Sequence, residues 1–174
     1  KDNKVVQEKG KDFPKSKIIW VDLFCASEDE KRHVEKVFNI DLFTPQESEE
    51  IETSSKYIET ADEIGINLNF IRAEYGNFKS EPVSFIIKNK ILVTQREHDF
   101  RTFDDVYRKL KLNHIFDGDD IYLQLLDVRI DYDADLIESV TERISDISRE
   151  LNTDKQVDKA LLLKITSLQE STIL

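Results

Sequence analysis

The C-terminal third of the chain, residues 118–174, constrains the fold more than any other stretch. It opens with acids around Gly118, which favour a helix start because they lie at the positive end of the helix dipole. Apolar residues then recur at steps of three, four or seven: Leu126, Ile130, Ile137, Val140, Ile144, Ile147 and Leu151. No Gly or Pro interrupts them. The pattern therefore predicts one helix of roughly thirty residues, about 45 Å long.

A second apolar seam follows a predicted break at residues 151–154. Thr153 can cap a new helix, with Gln156 at its third position. The apolar residues of this second helix are Val157, Leu161, Ile165 and Leu168. Seams of this length require a partner surface, so we expect another helix or another copy of the chain to cover them.

The upstream residues predict strands by composition and alternation. Residues 17–24 (KIIWVDLF) are β-branched and aromatic, which is typical of a buried strand. Further strands are predicted at 55–60, 63–72, 82–88 and 91–95. The last two predict a hairpin around Asn89 and Lys90. Cys25, beside the first strand, is predicted to be a small buried apolar residue.

Capping signals predict three helices between these strands. Ser27 with Glu30 forms a capping box, and Thr44 with Glu47 forms another with Pro at the first helical position. Thr102 is predicted to cap the third helix. The order of elements predicts an α/β or α+β domain with a mixed, largely antiparallel sheet covered by helices.

Composition and motifs exclude several functions. The formal net charge of −11 argues against nucleic acid as a partner, and a single cysteine excludes an internal disulfide. The chain has no GxSxG, Gly-rich phosphate loop or HExxH motif, so we predict no enzyme and no catalytic or cofactor-binding residues. Four carboxylates crowd one short helix, at Glu47, Glu49, Glu50 and Glu52. Their repulsion needs compensation by solvent, salt or a bound cation.

The segments, taken in order, resemble the cytoplasmic N-terminal domain of CorA-type divalent-cation transporters. The matching segments are 19–23 (IWVDL), 47–57 (ESEEIETSSKY), 83–87 (VSFII), 91–97 (ILVTQRE) and 117–127 with its acidic helix. The resemblance implies an αβα sandwich at 17–118. The residues before it, 1–16, are charged and show no apolar pattern, and we predict a leader or an edge element there. Long funnel helices at 119–174 would form a helical hairpin leading towards a stalk.

The resemblance also implies what lies outside this sequence. The family's two membrane helices and Gly-Met-Asn signature do not occur in it, and we therefore expect a fragment that meets the membrane only through a missing C-terminal region. The full-length protein would be a pentamer on the cytoplasmic side of the inner membrane. The fragment alone is expected to be monomeric or weakly associated, because −11 charges per copy repel.

In this family, magnesium binds between neighbouring domains and holds the pore closed. The resemblance places the corresponding carboxylates at Glu49, Glu50 and Asp127, as a weak regulatory Mg²⁺ site that could also take Co²⁺ or Zn²⁺. A zinc-transporting relative of the same superfamily is one alternative. A soluble helical adaptor that binds a partner through the C-terminal seam is the other. The transported ion and its direction are not determined by these residues.

Overall fold

The computed structural model describes residues 18–49, 57–74, 77–111, 117–153, 162–163 and 165–166. Its elements are β1 (Trp20–Phe24), α1 (Glu28–Phe38), α2 (Pro45–Glu49), β2 (Tyr57–Glu59), β3 (Glu63–Glu74), β4 (Asn77–Lys88), β5 (Ile91–Arg96), α3 (Arg101–Leu110) and α4 (Gly118–Thr153). Two compact units divide the described chain. The first takes the residues up to Phe70 together with Pro82–Val128, and the second takes Ile71–Glu81 and the residues from Arg129 onward.

The five strands form one sheet in the order β1-β5-β4-β3-β2. β1 runs parallel to β5, with Trp20 opposite Leu92, whereas β4 with β5 and β2 with β3 pair antiparallel. The predicted mixed, largely antiparallel sheet is therefore confirmed. Asn89 and Lys90 form the predicted turn, and both have positive φ, 51° and 65°. Two successive positive φ angles are what a two-residue hairpin turn requires.

One face of the sheet carries α1 and α2 over a mostly aliphatic core. The capping box at Ser27 is confirmed, since its side chain accepts from the Glu30 backbone N–H while the Glu30 carboxylate accepts from the Ser27 N–H. Val34 and Phe38 then point inward. They pack in a buried cluster with Leu23, Ile40, Phe43, Ile86 and Val93. The strand residues on this face lie at alternate positions, because successive side chains of a strand point to opposite faces of the sheet.

The opposite face is packed with aromatic rings from the sheet, α3 and the first turns of α4. The Phe70 ring centroid lies 5.9 Å from that of Phe85 and 5.3 Å from that of Phe100. Phe85 in turn meets Tyr122 of α4 edge-on at 5.3 Å. Helices thus cover both faces, which confirms the predicted αβα sandwich.

Helix α4 begins in close contact with the β4–β5 turn. The Gly118 backbone N–H donates to the Lys90 carbonyl at 2.7 Å. A Cβ at Gly118 would lie 2.3 Å from the Leu92 nitrogen, so only glycine permits this approach. Ile121 and Leu125 on the next turns are fully buried. The start of the long helix is therefore fixed to the sheet by backbone contact as well as by packing.

The predicted long helix is confirmed over 36 residues, about 54 Å at 1.5 Å per residue. Several of its periodic apolar residues are exposed to solvent, namely Ile130, Ile137 and Ile144. Within the second unit, Arg129 donates to the Ile71 carbonyl at 3.0 Å and pairs with Asp133. None of the described helices is long and apolar enough to cross a membrane. The leader or edge element predicted at 1–16 lies outside the described residues, as does most of the predicted second helix, and the predicted domain boundaries stay predictions.

Two local predictions are wrong. Thr102 does not cap α3: the helix begins at Arg101 after Phe100, and the Thr102 side chain is buried inside the first turn. Cys25 is exposed rather than buried. The chain leaves β1 at Cys25 with a φ of 46°, and the thiol donates to the Glu97 carbonyl at 3.1 Å. At Cys25 the backbone leaves β1 in a left-handed conformation, and at Thr102 burial outweighs the capping preference of a threonine.

Candidate metal-binding surface

Helix α2 is five residues long and begins with a capping box. The Thr44 backbone N–H and hydroxyl each donate to the Glu47 carboxylate at 2.8 Å. These hydrogen bonds lower the pKa of Glu47, because they stabilise its charged form. The Glu47 carboxylate therefore takes part in the cap of α2. The predicted helix with Pro45 at its first position is confirmed.

Three polar side chains of adjacent strands hold α2 and the segment before it. We call Asn67 of β3, Ser84 of β4 and Gln95 of β5 the polar row. Asn67 donates from Nδ2 to the carbonyl of Glu47 at 3.3 Å, and the Ser84 and Ser48 hydroxyl oxygens lie 3.4 Å apart. Gln95 donates from Nε2 to the carbonyl of Phe43 at 3.2 Å. The polar row thus fixes the acidic helix to the sheet through its backbone and one hydroxyl.

The structure describes two of the three predicted metal ligands, Glu49 and Asp127. Glu49 is the last residue of α2, and Glu50 lies outside the described residues. Asp127 is on α4, with its side chain 67% exposed and its carboxylate 3.8 Å from the Lys109 ammonium. Its oxygens are accessible to a hydrated cation, and carboxylate oxygens are the ligands that Mg²⁺ prefers.

α2 and the first turns of α4 lie on opposite faces of the sheet. Ser84, which contacts α2, and Phe85, which contacts α4, are consecutive residues of β4 and point to opposite faces. Across the described ranges, no three His, Cys, Asp or Glu side chains are grouped closely enough to hold one ion. The described part of one chain does not bring Asp127 to α2, so a shared ion would need a second copy of the chain.

Sequence reasoning missed a buried charge network on the α3 side. The Arg96 side chain is 7% exposed and donates to the Asp22 carboxylate from Nε and from Nη2, the latter at 2.8 Å. Arg96 is also stacked between the rings of Phe24 and Phe103, at 4.3 and 4.2 Å. Thr94 completes the network by donating to Asp22 at 2.8 Å. The signal was present in the quoted segments IWVDL and ILVTQRE, whose acid and base become neighbours through the parallel pairing of β1 with β5.

Comparison with known families identifies relatives of this chain. A family model described as "CorA-like Mg2+ transporter protein" matches residues 15–174. The magnesium transport protein CorA of Wolinella succinogenes is 31% identical over 134 residues, covering 73% of this chain and 42% of that protein. The CorA protein of Campylobacter jejuni strain RM1221 is 32% identical over 170 residues, covering 88% of this chain and 51% of that protein. The chain spans about half the length of these curated relatives.

Solved structures share the fold at lower sequence identity. The soluble domain of CorA from Methanocaldococcus jannaschii matches with a TM-score of 0.76 at 16% identity, covering 98% of this chain and 70% of that one. The complete CorA magnesium transporter of the same organism matches with a TM-score of 0.71 at 15% identity, covering 95% of this chain and 52% of that one. The sandwich and the long helix therefore recur together in proteins whose sequences have diverged widely.

Proposed function

The chain belongs to the CorA-like Mg²⁺ transporter family, and from that premise we propose that it is the metal-sensing and assembly part of a divalent-cation transporter. The observation that carries the proposal is the family match, which extends over residues 15–174. The family is one of transporters, and we propose Mg²⁺ as the cation, with Co²⁺ as a second substrate. The proposed assembly is a pentamer on the cytoplasmic side of the inner membrane, joined to the membrane through residues beyond this sequence.

The regulatory site that we propose uses Glu49, Glu50 and Asp127. Asp127 is exposed on α4, and its partner Lys109 is 42% exposed at 3.8 Å, so a cation can displace this loose ion pair at little cost. Because α2 and the start of α4 lie on opposite faces of the sheet, the proposed ion bridges two copies of the chain. Magnesium suits such a site, since it retains several waters and takes one or two carboxylates directly.

A chimaeric transporter tests the function of the whole domain. This chain would replace the matching half of the Campylobacter jejuni relative, and uptake of Mg²⁺ and Co²⁺ would be measured in cells depleted of magnesium. We expect uptake that falls as internal magnesium rises. The relative cut and rejoined at the same junction is the control. Uptake that ignores internal magnesium, while the control remains regulated, would contradict the sensing role.

A melting series tests the proposed site directly. A ligand that binds only the native form stabilises it by RT ln(1 + [L]/Kd), which for a weak site at roughly 20 mM Mg²⁺ is on the order of 1–2 kcal/mol. Sodium at the same ionic strength measures the part caused by screening alone. We expect an excess in magnesium that is lost when Glu49 and Glu50 become Gln and Asp127 becomes Asn. Equal magnesium–sodium differences in both proteins would assign these acids to a solvated surface.

The adaptor alternative makes the opposite prediction for the same measurement. The exposed residues Ile130, Ile137 and Ile144 favour a helical partner both for a transporter domain and for an adaptor. An adaptor should associate equally well in chelator and in magnesium, because its interface is apolar. Association that depends on divalent cations favours the transporter domain, and association that is indifferent to them favours the adaptor.

A further inference from the structure

Asp127 faces a basic side chain of another helix. Lys109 is in the last turn of α3, and its ammonium lies 3.8 Å from the Asp127 carboxylate on α4. A cation is favoured at that end of α3, because the carbonyl groups of a helix's last turn carry a partial negative charge. Arg108, the preceding residue, pairs with Asp105 of its own helix at 3.2 Å. Lys109, rather than Arg108, therefore pairs with the acid on α4.

This ion pair differs from the one at the start of α4. Lys90 donates to Asp117 at 3.0 Å, and that carboxylate is only 16% exposed and also accepts from the Asp120 backbone N–H. Lys109 and Asp127 are instead beyond hydrogen-bond distance, and their side chains are 42% and 67% exposed. An ion pair of that kind contributes little to stability. Removal of Lys109 should therefore leave the fold intact while it changes the charge that faces Asp127.

The Lys109 ammonium disfavours a second cation at the same carboxylate. Two charges of the same sign repel, and the repulsion is twice as large when one of them is divalent. At a separation of roughly 5 Å, in water with moderate salt, this repulsion weakens the binding of a divalent ion by about threefold to tenfold. The ammonium must also leave the carboxylate before its oxygens can coordinate magnesium directly. Both effects lower the affinity of Asp127 for Mg²⁺.

We infer that the Lys109 ammonium competes with the cation for the Asp127 carboxylate and thereby sets the affinity of the proposed regulatory site. The inference rests on the proposed function, since it concerns regulation by the same magnesium ion. At low magnesium Asp127 is paired with Lys109, and at high magnesium the ion takes the place of the ammonium. A site responds over concentrations near its Kd, so a competitor within the chain moves that range upward.

The variant Lys109→Gln tests this role in the whole 174-residue chain. Mg²⁺ is titrated, and at each concentration the melting temperature is compared with that in sodium at the same ionic strength. We expect the variant to melt within about 1 °C of the parent in sodium, because the lost ion pair is exposed. Its magnesium-specific shift should reach half of its maximum at a concentration about threefold to tenfold lower than in the parent.

Two control variants separate the position of the charge from its mere presence. Lys111→Gln removes the same charge two residues further along the chain, where the ammonium lies over the Tyr107 ring at 4.2 Å. The midpoint of its magnesium-specific shift should move by less than about twofold. Lys109→Arg retains a positive charge beside Asp127, and it should keep the midpoint of the parent.

The comparison between these variants keeps the inference falsifiable. A midpoint in Lys109→Gln that equals that of the parent, or falls no further than in Lys111→Gln, overturns the competition and leaves the proposed function standing. An equal fall in Lys109→Arg also overturns the competition, because the positive charge is then not its cause. Absence of any magnesium-specific shift in the parent overturns the proposed function and the inference together.

Discussion

On the α3 and α4 face of the sheet the core is built around contacts between aromatic rings. The core on the α1 and α2 face, which we call the aliphatic face, is mostly aliphatic with Phe38 and Phe43 among its members, and it includes the polar row. The aromatic face brings the rings of Phe70 and Phe103 to 6.4 Å and those of Trp20 and Phe103 to 6.0 Å. The aliphatic face has Ile86, Val93 and Leu23 in corresponding places. Strands of one sheet thus support two cores of different chemistry.

The two faces contribute differently to the stability of the fold. Aromatic pairs contribute beyond the area that they bury, because their rings prefer particular geometries. That face also anchors the long helix through Tyr122 and the buried residues Ile121 and Leu125. The aliphatic face is less specific in geometry, and there the hydrogen bonds of the polar row supply the specificity. We therefore expect substitutions on the aromatic face to change stability most.

The largest expected effect comes from truncating a central ring. Phe85→Ala should lower the free energy of unfolding by about 4–5 kcal/mol, because Phe85 is fully buried and contacts two other rings. Phe38→Ala on the aliphatic face should cost about 3 kcal/mol, near the lower limit for such truncations. Urea unfolding of both variants measures the difference. Equal costs would remove the energetic distinction between the two faces.

A somewhat smaller effect is expected from the buried arginine. Arg96→Met should cost about 2–3 kcal/mol, because it leaves the Asp22 carboxylate with little compensation. The double change with Asp22→Leu should recover part of that loss, since both members of the pair are then apolar. A double-mutant cycle in urea measures the coupling. Strictly additive costs would show that the pair is not coupled and that Arg96 acts only by packing between rings.

The cap of α1 should matter less than either. Ser27→Ala should lower the free energy of unfolding by about 1 kcal/mol, because the Glu30 backbone N–H loses its acceptor. Thr141→Ala serves as a control, since its hydroxyl donates to the Ile137 carbonyl on an exposed helix surface. That control should change stability by less than about 0.5 kcal/mol. A loss at Thr141 as large as that at Ser27 would contradict the capping role.

The smallest effect depends on pH and lies at the start of α4. The hydrogen bond from Lys90, 3.0 Å long, lowers the pKa of Asp117 below its unfolded value. Its contribution is therefore present above the unfolded pKa, about 3.9, and is lost as the pH falls through the lower folded pKa. Asp117→Asn should lower the melting temperature by about 2 °C at pH 7. The two proteins should converge once the pH has fallen below the lowered folded pKa of Asp117, and a gap that persists there would exclude this carboxylate as its source.

Local signals explain what the sequence could predict. The capping boxes at Ser27 and Thr44 and the hairpin turn at Asn89 each depend on residues within a few positions, and each prediction is confirmed. The long helix followed from its period and from the lack of Gly and Pro. The prediction at Thr102 is wrong because a buried position outweighed the capping preference of a threonine.

Contacts between distant residues explain what the sequence could not predict. The bond between Asp22 and Arg96 joins residues 74 positions apart, and it requires knowing that β1 pairs with β5. The polar row likewise depends on the order of three strands. Of the candidate site, the structure describes the side chain of Asp127 on α4, and the assignment of Glu49, Glu50 and Asp127 to one ion stays a prediction.

The parallel pairing of β1 with β5 also bears on the order in which the domain forms. The strands from β2 to β5 are neighbours in both sequence and space, so their contacts close short loops. β1 can join only after a loop of about 70 residues closes, and such closure is entropically unfavourable until the rest of the sheet offers a surface. We therefore expect β1 to dock last. The Arg96–Asp22 pair then forms after the folding transition state, so it should slow unfolding and leave the folding rate nearly unchanged.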